Sequence, residues 1–443
     1  MDWLLRKMSG FEHRNAMIFE DKPIRFKDIV ADYGQWLQTI EEHEIRPNEV
    51  IMLEGDYSPN VCAAILAFAA NGNTVVPLTA GTRYKQDEMM SIAQVNRCIR
   101  FQGNRYSVSN PIVREHSPLL ANFTSQGKAG LILFTSGTTG QPKAMLHDFA
   151  KFLERYKTSR ETLRTLTFLL FDHIGGLNTL FHTLANGGTI IIPSSRNPND
   201  ICALIEKYNV ELLPTTPSFL NLLLLSEAYT RYNISSLKMI TYGTEVIPDV
   251  TLQQVRRALP NIELRQTYGL SEIGILRAKS RSSDSPWLMI GGEGIDTKIV
   301  NGILYIRSEF AMEGYLNAPN PFDEDGWFHT GDRVCEDNGY IRLLGRQSEM
   351  INVGGRKVYP VEVENVLMQM PELADVAVKG EPNMLLGQMV TAVVKLAVPM
   401  TGQELKGKVR MFCRDKLEDF QIPVKLYIQE EPLFTDRFKK MRR

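Results

Sequence analysis

Short apolar runs alternate with stretches of helical period along the first two thirds of the chain. MIFEDKPIRF at 17–26 reads as a hairpin, DIVADYGQWLQTIEEHEI at 28–45 as an amphipathic helix and EVIMLEG at 49–55 as a strand. The alternation continues with a helix at 60–70, the strand NGNTVVPL at 71–78 and a further helix-to-strand passage at 92–101. GLILF at 130–134 is short, poor in polar atoms and bounded by turn formers, the pattern of a buried strand. Between 164 and 193 come a strand, a turn carrying His173, a helix and, after Gly187–Gly188, a β-branched strand ending at Pro193. ICALIEKYNV (helix), ELLPTTP (strand), PSFLNLLLLSEA (helix) and LKMITYG (strand) complete this second series. Such alternation implies βαβ units around parallel sheets, and two series imply two stacked sheets sharing one large core.

Past residue 280 the strands shorten and take on an antiparallel look. TKIVNGILYIRS at 297–308 is a hairpin whose turn is Asn301–Gly302. GYIRLLGR at 339–346 leads into the polar QSEMINVGG, which has no helical period. From 360 a helix, two strands, a helix and a strand form a unit of ordinary domain size. The expected fold is α/β: a large N-terminal domain of stacked αβ sheets plus a short β-rich subdomain (1–345), then a small α+β C-terminal domain (346–443), the boundary falling near Arg346–Glu349.

Composition narrows the function classes. A chain of 443 residues exceeds one core, and 43% hydrophobic with 23% charged residues is ordinary for a globular protein. A net charge of −1 gives no field for an extended polyanion, so nucleic acid is not an expected partner. The five cysteines are scattered without metal spacing and read as reduced core thiols. The N-terminal MDWLLRKMSGFEHR lacks the form of a secretory signal, and no run approaches the roughly 18 apolar residues of a membrane span. VCAAILAFAA at 61–70 and FLNLLLL at 219–225 fit buried helices instead, so a cytoplasmic enzyme is expected.

Four stretches carry candidate chemistry. TSGTTGQPK at 135–143 offers glycines and hydroxyls that can wrap a phosphate chain, with Lys143 adding positive charge; it is not GxxxxGK[ST], because Pro142 precedes the lysine and Ala144 follows it. In TYGLSEIG at 267–274, Tyr268 can stack on a base and Glu272 can hold a divalent cation against phosphate oxygens. WFHTGD at 327–332 sets Asp332 at a strand end, where a carboxylate can accept both ribose hydroxyls. In GRQSEMINVGGRKVYPVEVE at 345–364, Arg346 suits a ribose or phosphate, and Gly354–Gly355 allows close backbone approach. Each stretch alone also fits an ordinary turn.

In this order and approximate spacing the motifs resemble those of the adenylate-forming enzymes: acyl- and aryl-CoA ligases, adenylation domains of peptide synthetases, and luciferases. The resemblance runs from about residue 16 to the end and is nearest to the acyl- or aryl-CoA ligases. It implies a mobile C-terminal domain with the active site between the two domains. By the same resemblance Thr135, Ser136, Gly137, Thr138, Thr139 and Gly140 would hold the ATP phosphates, with Lys143 closing the loop. Gly243, Thr244 and Glu245 would border the adenine, with Tyr268 and Gly269 near it. Ser271 would contact phosphate, Glu272 would bind Mg²⁺, and Asp332 with Arg346 would take the ribose. His173, in FDHIGG, would lie beside the carboxylate pocket, Glu349 would be the hinge, and Gly355 would face the thiol. The family's catalytic lysine sits in Thr-x-x-Gly-Lys-x-x-Arg; here TDRFKKMRR matches at Thr435 and Arg442 and sets Lys439 on the catalytic position. Phe438 replaces the glycine, which leaves Lys440 as an alternative.

The implied reaction is ATP-dependent activation of a carboxylic acid to an acyl-adenylate, with release of pyrophosphate and transfer to the thiol of CoA or of a carrier-protein phosphopantetheine. Phe171–Asp172 superficially matches the amine-binding motif of peptide synthetases, but His173 and Gly175–Gly176 fit the CoA ligases better, so an acid without an α-amino group is expected. No carrier domain follows before Arg443, and the shortened N-terminal part suggests a small acid. A stand-alone enzyme loading a carrier protein, a light-emitting oxidase and a non-catalytic nucleotide-binding relative are the alternatives.

Overall fold

The computed structural model describes residues 1–103, 105–111, 117–135, 141–435 and 437–442, together with the backbone of Ser136. Two seven-stranded sheets form the body of the molecule. In the first, Val50–Glu54 and Thr74–Leu78 are parallel neighbours, with Val50 opposite Thr74, and the helix Pro59–Ala70 connects them. From Val61 to Ala69 every residue of that helix is at most 6% exposed. A helix apolar on all sides has to be covered on all sides. This one shares a core with Ile51 and Val75 of the first sheet and Met17 and Ile190 of the second.

The second sheet runs Glu263–Gln266, Met239–Tyr242, Leu212–Thr215, Thr165–Leu166, Ile190–Ile191, Asn15–Phe19 and Lys22–Arg25. The hairpin at the start of the chain forms as its pattern predicts, yet it joins this distant sheet through Met17 and Ile190, while Val50–Glu54 enters the first. Residues 16–60 therefore stitch the two sheets together. Residues 130–134 are buried as expected, and after Gly130–Ser136 the chain reverses into the antiparallel strand Pro142–Asp148, with Thr135 opposite Lys143.

Six antiparallel strands between Ala278 and Arg346 make a third sheet. Its predicted hairpin turns at Asn301 and Gly302 with φ of 52° and 75°, the left-handed pair that matches strand twist. The last five strands, with helices Pro360–Leu367 and Gly402–Cys413, enclose a separate core that includes Val363, Val376, Val390 and Leu405. The architecture is thus a large N-terminal α/β domain with mixed sheets and a smaller C-terminal α+β domain. Cys62, Cys98, Cys202 and Cys413 are free and buried, whereas Cys335 is half-buried. Among the described residues no helix is long and apolar enough to cross a membrane.

Candidate active site

Strand ends converge where parallel sheets usually bind ligands, beyond their C-terminal edges. Thr79 follows Thr74–Leu78, Gly243–Glu245 follow Met239–Tyr242, and Thr135 lies at the end of Gly130–Ser136. The candidate phosphate-loop residues Gly137, Thr138, Thr139 and Gly140, and the side chain of Ser136, lie outside the described residues. The far side of the loop is well defined. Asn317 accepts from the Ala144 amide at 3.0 Å and donates to the Pro142 carbonyl at 2.9 Å, so one side chain fixes the strand on both sides of Lys143. The Lys143 ammonium lies 5.2 Å from the centre of the Tyr315 ring, and the Tyr315 hydroxyl donates to Glu272 at 2.7 Å. Burial, then the charge of Glu272, raises the Tyr315 pKa, which keeps that hydroxyl a donor.

The ribose candidates meet across two strands of the third sheet, where Asp332 stands opposite Arg346. Arg346 donates to one carboxylate oxygen of Asp332 at 3.1 Å, and the Tyr268 hydroxyl donates to the other at 2.5 Å. The Tyr268 ring is 5% exposed and packs in the core with Ile273, Leu288 and Phe328, so it is not presented for stacking on a base. What Tyr268 supplies is a grip on Asp332. Gly243 and Gly269 also serve the chain itself: a Cβ at Gly243 would lie 2.5 Å from the Thr267 hydroxyl, and one at Gly269 would lie 2.7 Å from the Gly274 carbonyl. Glu245, expected beside adenine, accepts from the Ser218 amide and hydroxyl with one oxygen and from the Lys440 amide with the other. Thr244 is exposed with φ of +74°, a strained backbone for a β-branched residue. Ser271 is buried, its backbone beside His147.

His173 caps the helix Ile174–Ala185, its Nδ1 accepting from the Gly175 amide at 3.2 Å. That bond leaves Nε2 to carry the proton. Burial, reinforced by Lys439 and Arg437, holds the His173 pKa well below the usual histidine range, so the ring is neutral. Facing it is the C-terminal segment. Arg437 donates to Asp172 at 2.7 Å, and Thr79 donates to the same oxygen at 2.9 Å. Lys440 donates to Asp375 and to the Val376 carbonyl, both at 2.8 Å. Arg442 forks onto Glu364 at 2.8 and 2.7 Å and reaches Glu349 at 3.1 Å. Among the described residues the Lys439 ammonium has no ion-pair partner, while its backbone amide donates to the Thr435 hydroxyl at 3.4 Å. Burial, then Arg346 and Arg437, lower its pKa to about 8, against the pull of Glu245 and Glu272. Gly355 is not brought to this centre: it sits in an exposed turn, and a Cβ there would meet nothing within 4 Å.

Family models match two segments, "AMP-binding enzyme" at 113–316 and "AMP-binding enzyme C-terminal domain" at 362–439, together more than half of the chain. The chain belongs to the adenylate-forming, AMP-binding enzymes. It is similar to the indoleacetate–CoA ligase of Aromatoleum aromaticum, 30% identical over 68% of this chain and 63% of that ligase. It also resembles the 2-succinylbenzoate–CoA ligase of Enterococcus faecalis, 25% identical over 96% of this chain and 94% of that one. In fold it matches the anthranilate CoA ligase AuaEII in complex with anthranoyl-AMP, with a TM-score of 0.85 at 18% identity, covering 99% of this chain and 95% of that one. Adenylate-forming enzymes activate a carboxylic acid with ATP.

Lys143, Arg346 and Lys439 gather around Glu272, a set of cations whose charge suits a triphosphate and an ionised acid. Glu272 is a hard oxygen donor beside them, and one carboxylate suffices for Mg²⁺ when substrate phosphates and water complete its shell. The residues therefore fit MgATP. Thr79, Asp172, Tyr315, Asn317 and Arg437 were absent from the sequence-derived set. Tyr315 lies in the two-residue strand Gly314–Tyr315, too short for any periodic signal, and only pairing with Pro142–Asp148 brings it to Lys143.

Proposed function

We propose that this protein is an acid–thiol ligase. An ionised carboxylic acid attacks the α-phosphate of ATP and pyrophosphate departs; the thiol of CoA then attacks the acyl carbon of the acyl-adenylate, giving up its proton, and AMP departs. The observation that carries the reading is Lys439. It is a desolvated ammonium without an ion-pair partner among the described residues, beside His173, Arg346 and the Glu272 carboxylate, while Lys440 is committed to Asp375. A cation held this way can bridge an incoming carboxylate and the α-phosphate, the two groups whose repulsion opposes the reaction. No general base is needed, because the acid is already ionised near neutral pH.

In this reading residues 135–140 and Lys143 hold the phosphates and Asp332 takes the ribose, oriented by Tyr268 and Arg346. Thr244 and Glu245 lie at the adenine side, Ser271 at the phosphates and His173 at the acid. Mg²⁺ at Glu272 would draw charge from the leaving pyrophosphate. The division is 1–345 for nucleotide and acid and 346–443 for the lysine, with Gly355 turned toward the thiol only after the C-terminal domain swings about Glu349. The Arg437 bond to Asp172 supports an acid without an α-amino group, because the carboxylate that could take an amine already holds a guanidinium.

The test is ATP–pyrophosphate exchange across a panel of free acids, then thioester formation with CoA or, in a parallel arm, with a phosphopantetheinylated carrier protein. Lys439→Ala should abolish exchange yet spare thioester formation from supplied acyl-adenylate. Equal loss of both half-reactions counts against the assignment. Exchange with no acid in the panel overturns the ligase, and transfer only to the carrier protein overturns CoA as acceptor.

A further inference from the structure

Next to Lys439 stands a side chain the reaction does not require. Phe438 has φ of +51°, a left-handed backbone that any residue with a Cβ adopts at a cost. Its ring lies 5.0 Å from Phe168 and 5.7 Å from Phe219, edge-on to the latter, and stacks on Phe434 at 5.1 Å. Phe168 and Phe219 are themselves buried and 4.4 Å apart, so the surface behind the ring is close-packed. Phe438, Phe168, Leu169, Leu170 and His173 line a narrow pocket, partly open to solvent, that Lys439 also borders.

We propose that Phe438 gauges the size of the acid. The ring closes the apolar end of the pocket, so only compact acids fit while Lys439 is seated. The proposal rests on the acid-activating reading above and adds the substrate class. Ring and ammonium ride on consecutive residues, held by Arg437 on Asp172 and by the Lys440 amide on Glu245. An acid that collides with the ring therefore displaces the ammonium as well. Oversized acids lose turnover as well as affinity, because the misplaced group is the one that aligns the reactants.

The experiment measures ATP–pyrophosphate exchange with straight-chain acids of increasing length and with benzoates bearing para-alkyl groups of increasing length. Wild type, Phe438→Ala and Phe438→Gly are compared. In wild type kcat should collapse at a definite length. In both variants the kcat/KM of the first excluded acid, relative to the shortest acid, should rise at least about tenfold, the discrimination that one methylene commonly brings in an apolar pocket. Alanine keeps the unfavourable backbone and glycine relieves it, so an extension seen with glycine alone assigns the effect to the backbone and overturns the gauge. An equal gain for every acid makes the ring a general plug and overturns it too, as does an unchanged length profile. Where truncation removes all activity, Phe438→Leu must still move the cut-off, or the proposal fails. Wild-type exchange with no acid at all refutes acid activation itself and the gauge with it; exchange with short acids keeps the two questions separate.

Discussion

Lys439 and Lys440 are adjacent, and exchanging their assignments would change the site, so Lys440→Met is the most informative single substitution. Its ammonium lies 2.8 Å from Asp375, with side chains 8% and 9% exposed. Removing one partner of a buried pair leaves the other charge uncompensated, which costs about 3–5 kcal/mol. At 1.36 kcal/mol per factor of ten, local opening should become about two to nearly four orders of magnitude more frequent. Hydrogen–deuterium exchange of peptides spanning 373–383 and the C-terminal segment reads this directly. Lys439→Met removes a desolvated cation without an ion-pair partner among the described residues, so it should leave protection intact while abolishing pyrophosphate exchange. The double variant Asp375→Asn with Lys440→Met should recover most of the lost protection, because neither charge is then stranded. Equal loosening by Lys439→Met and Lys440→Met would refute the division of roles. So would full protection in Lys440→Met combined with complete loss of adenylation.

Three further outcomes follow from the site. The kcat/KM of adenylation, which reports the free enzyme, should fall as pH rises through about 8, where the Lys439 ammonium gives up its proton; an alkaline limb no lower than the ordinary lysine range would contradict this. Stability should move the other way: the folded pKa of about 8 lies below the ordinary 10.5, so the unfolded chain binds more protons between them, and the penalty for burying Lys439 shrinks as pH rises across that window. Tyr268→Phe removes a hydrogen bond to a carboxylate, worth about 1.5–3 kcal/mol, and should raise KM for ATP about ten- to a hundredfold while leaving KM for the acid unmoved. Asn317→Ala strands the buried amide of Ala144 and should cost about 1–3 kcal/mol, measured by urea unfolding followed at the tryptophans, all of which precede residue 346, together with a higher KM for ATP.

Local features were legible because local chemistry fixes them. A helix with no polar face has to lie between layers, and Asn301–Gly302 has to turn. The destinations of strands were not: nothing in MIFEDKPIRF records that Met17 will pair with Ile190. Polar roles failed to show for the same reason. Tyr268 reads as a stacking aromatic from its motif, but its hydroxyl acquires a purpose only when the third sheet brings Asp332 within 2.5 Å. Tyr315 meets Glu272, and Arg437 meets Asp172, across separations that no window of sequence spans. Phe438 was visible as a departure from glycine, which raises a question about backbone. That its ring would meet Phe168 and Phe219 depends on how the last residues dock.

The docking of that segment also explains why Lys439 has an unusual pKa. Arg437, Lys440 and Arg442 each neutralise a carboxylate that folding has buried: Asp172, Asp375 and Glu364 are 3%, 6% and 1% exposed. Withdrawing the segment would leave these carboxylates without their cations in a medium of low dielectric, a far larger cost than any surface ion pair carries. The segment can leave only as water or another cation takes its place. Phe438 and Lys439 stand between the anchors and face the pocket. Lys439 is thus carried into a desolvated site by its neighbours' pairs while bringing no carboxylate of its own, and the deficit that lowers its pKa is the one that an acid and a phosphate would fill.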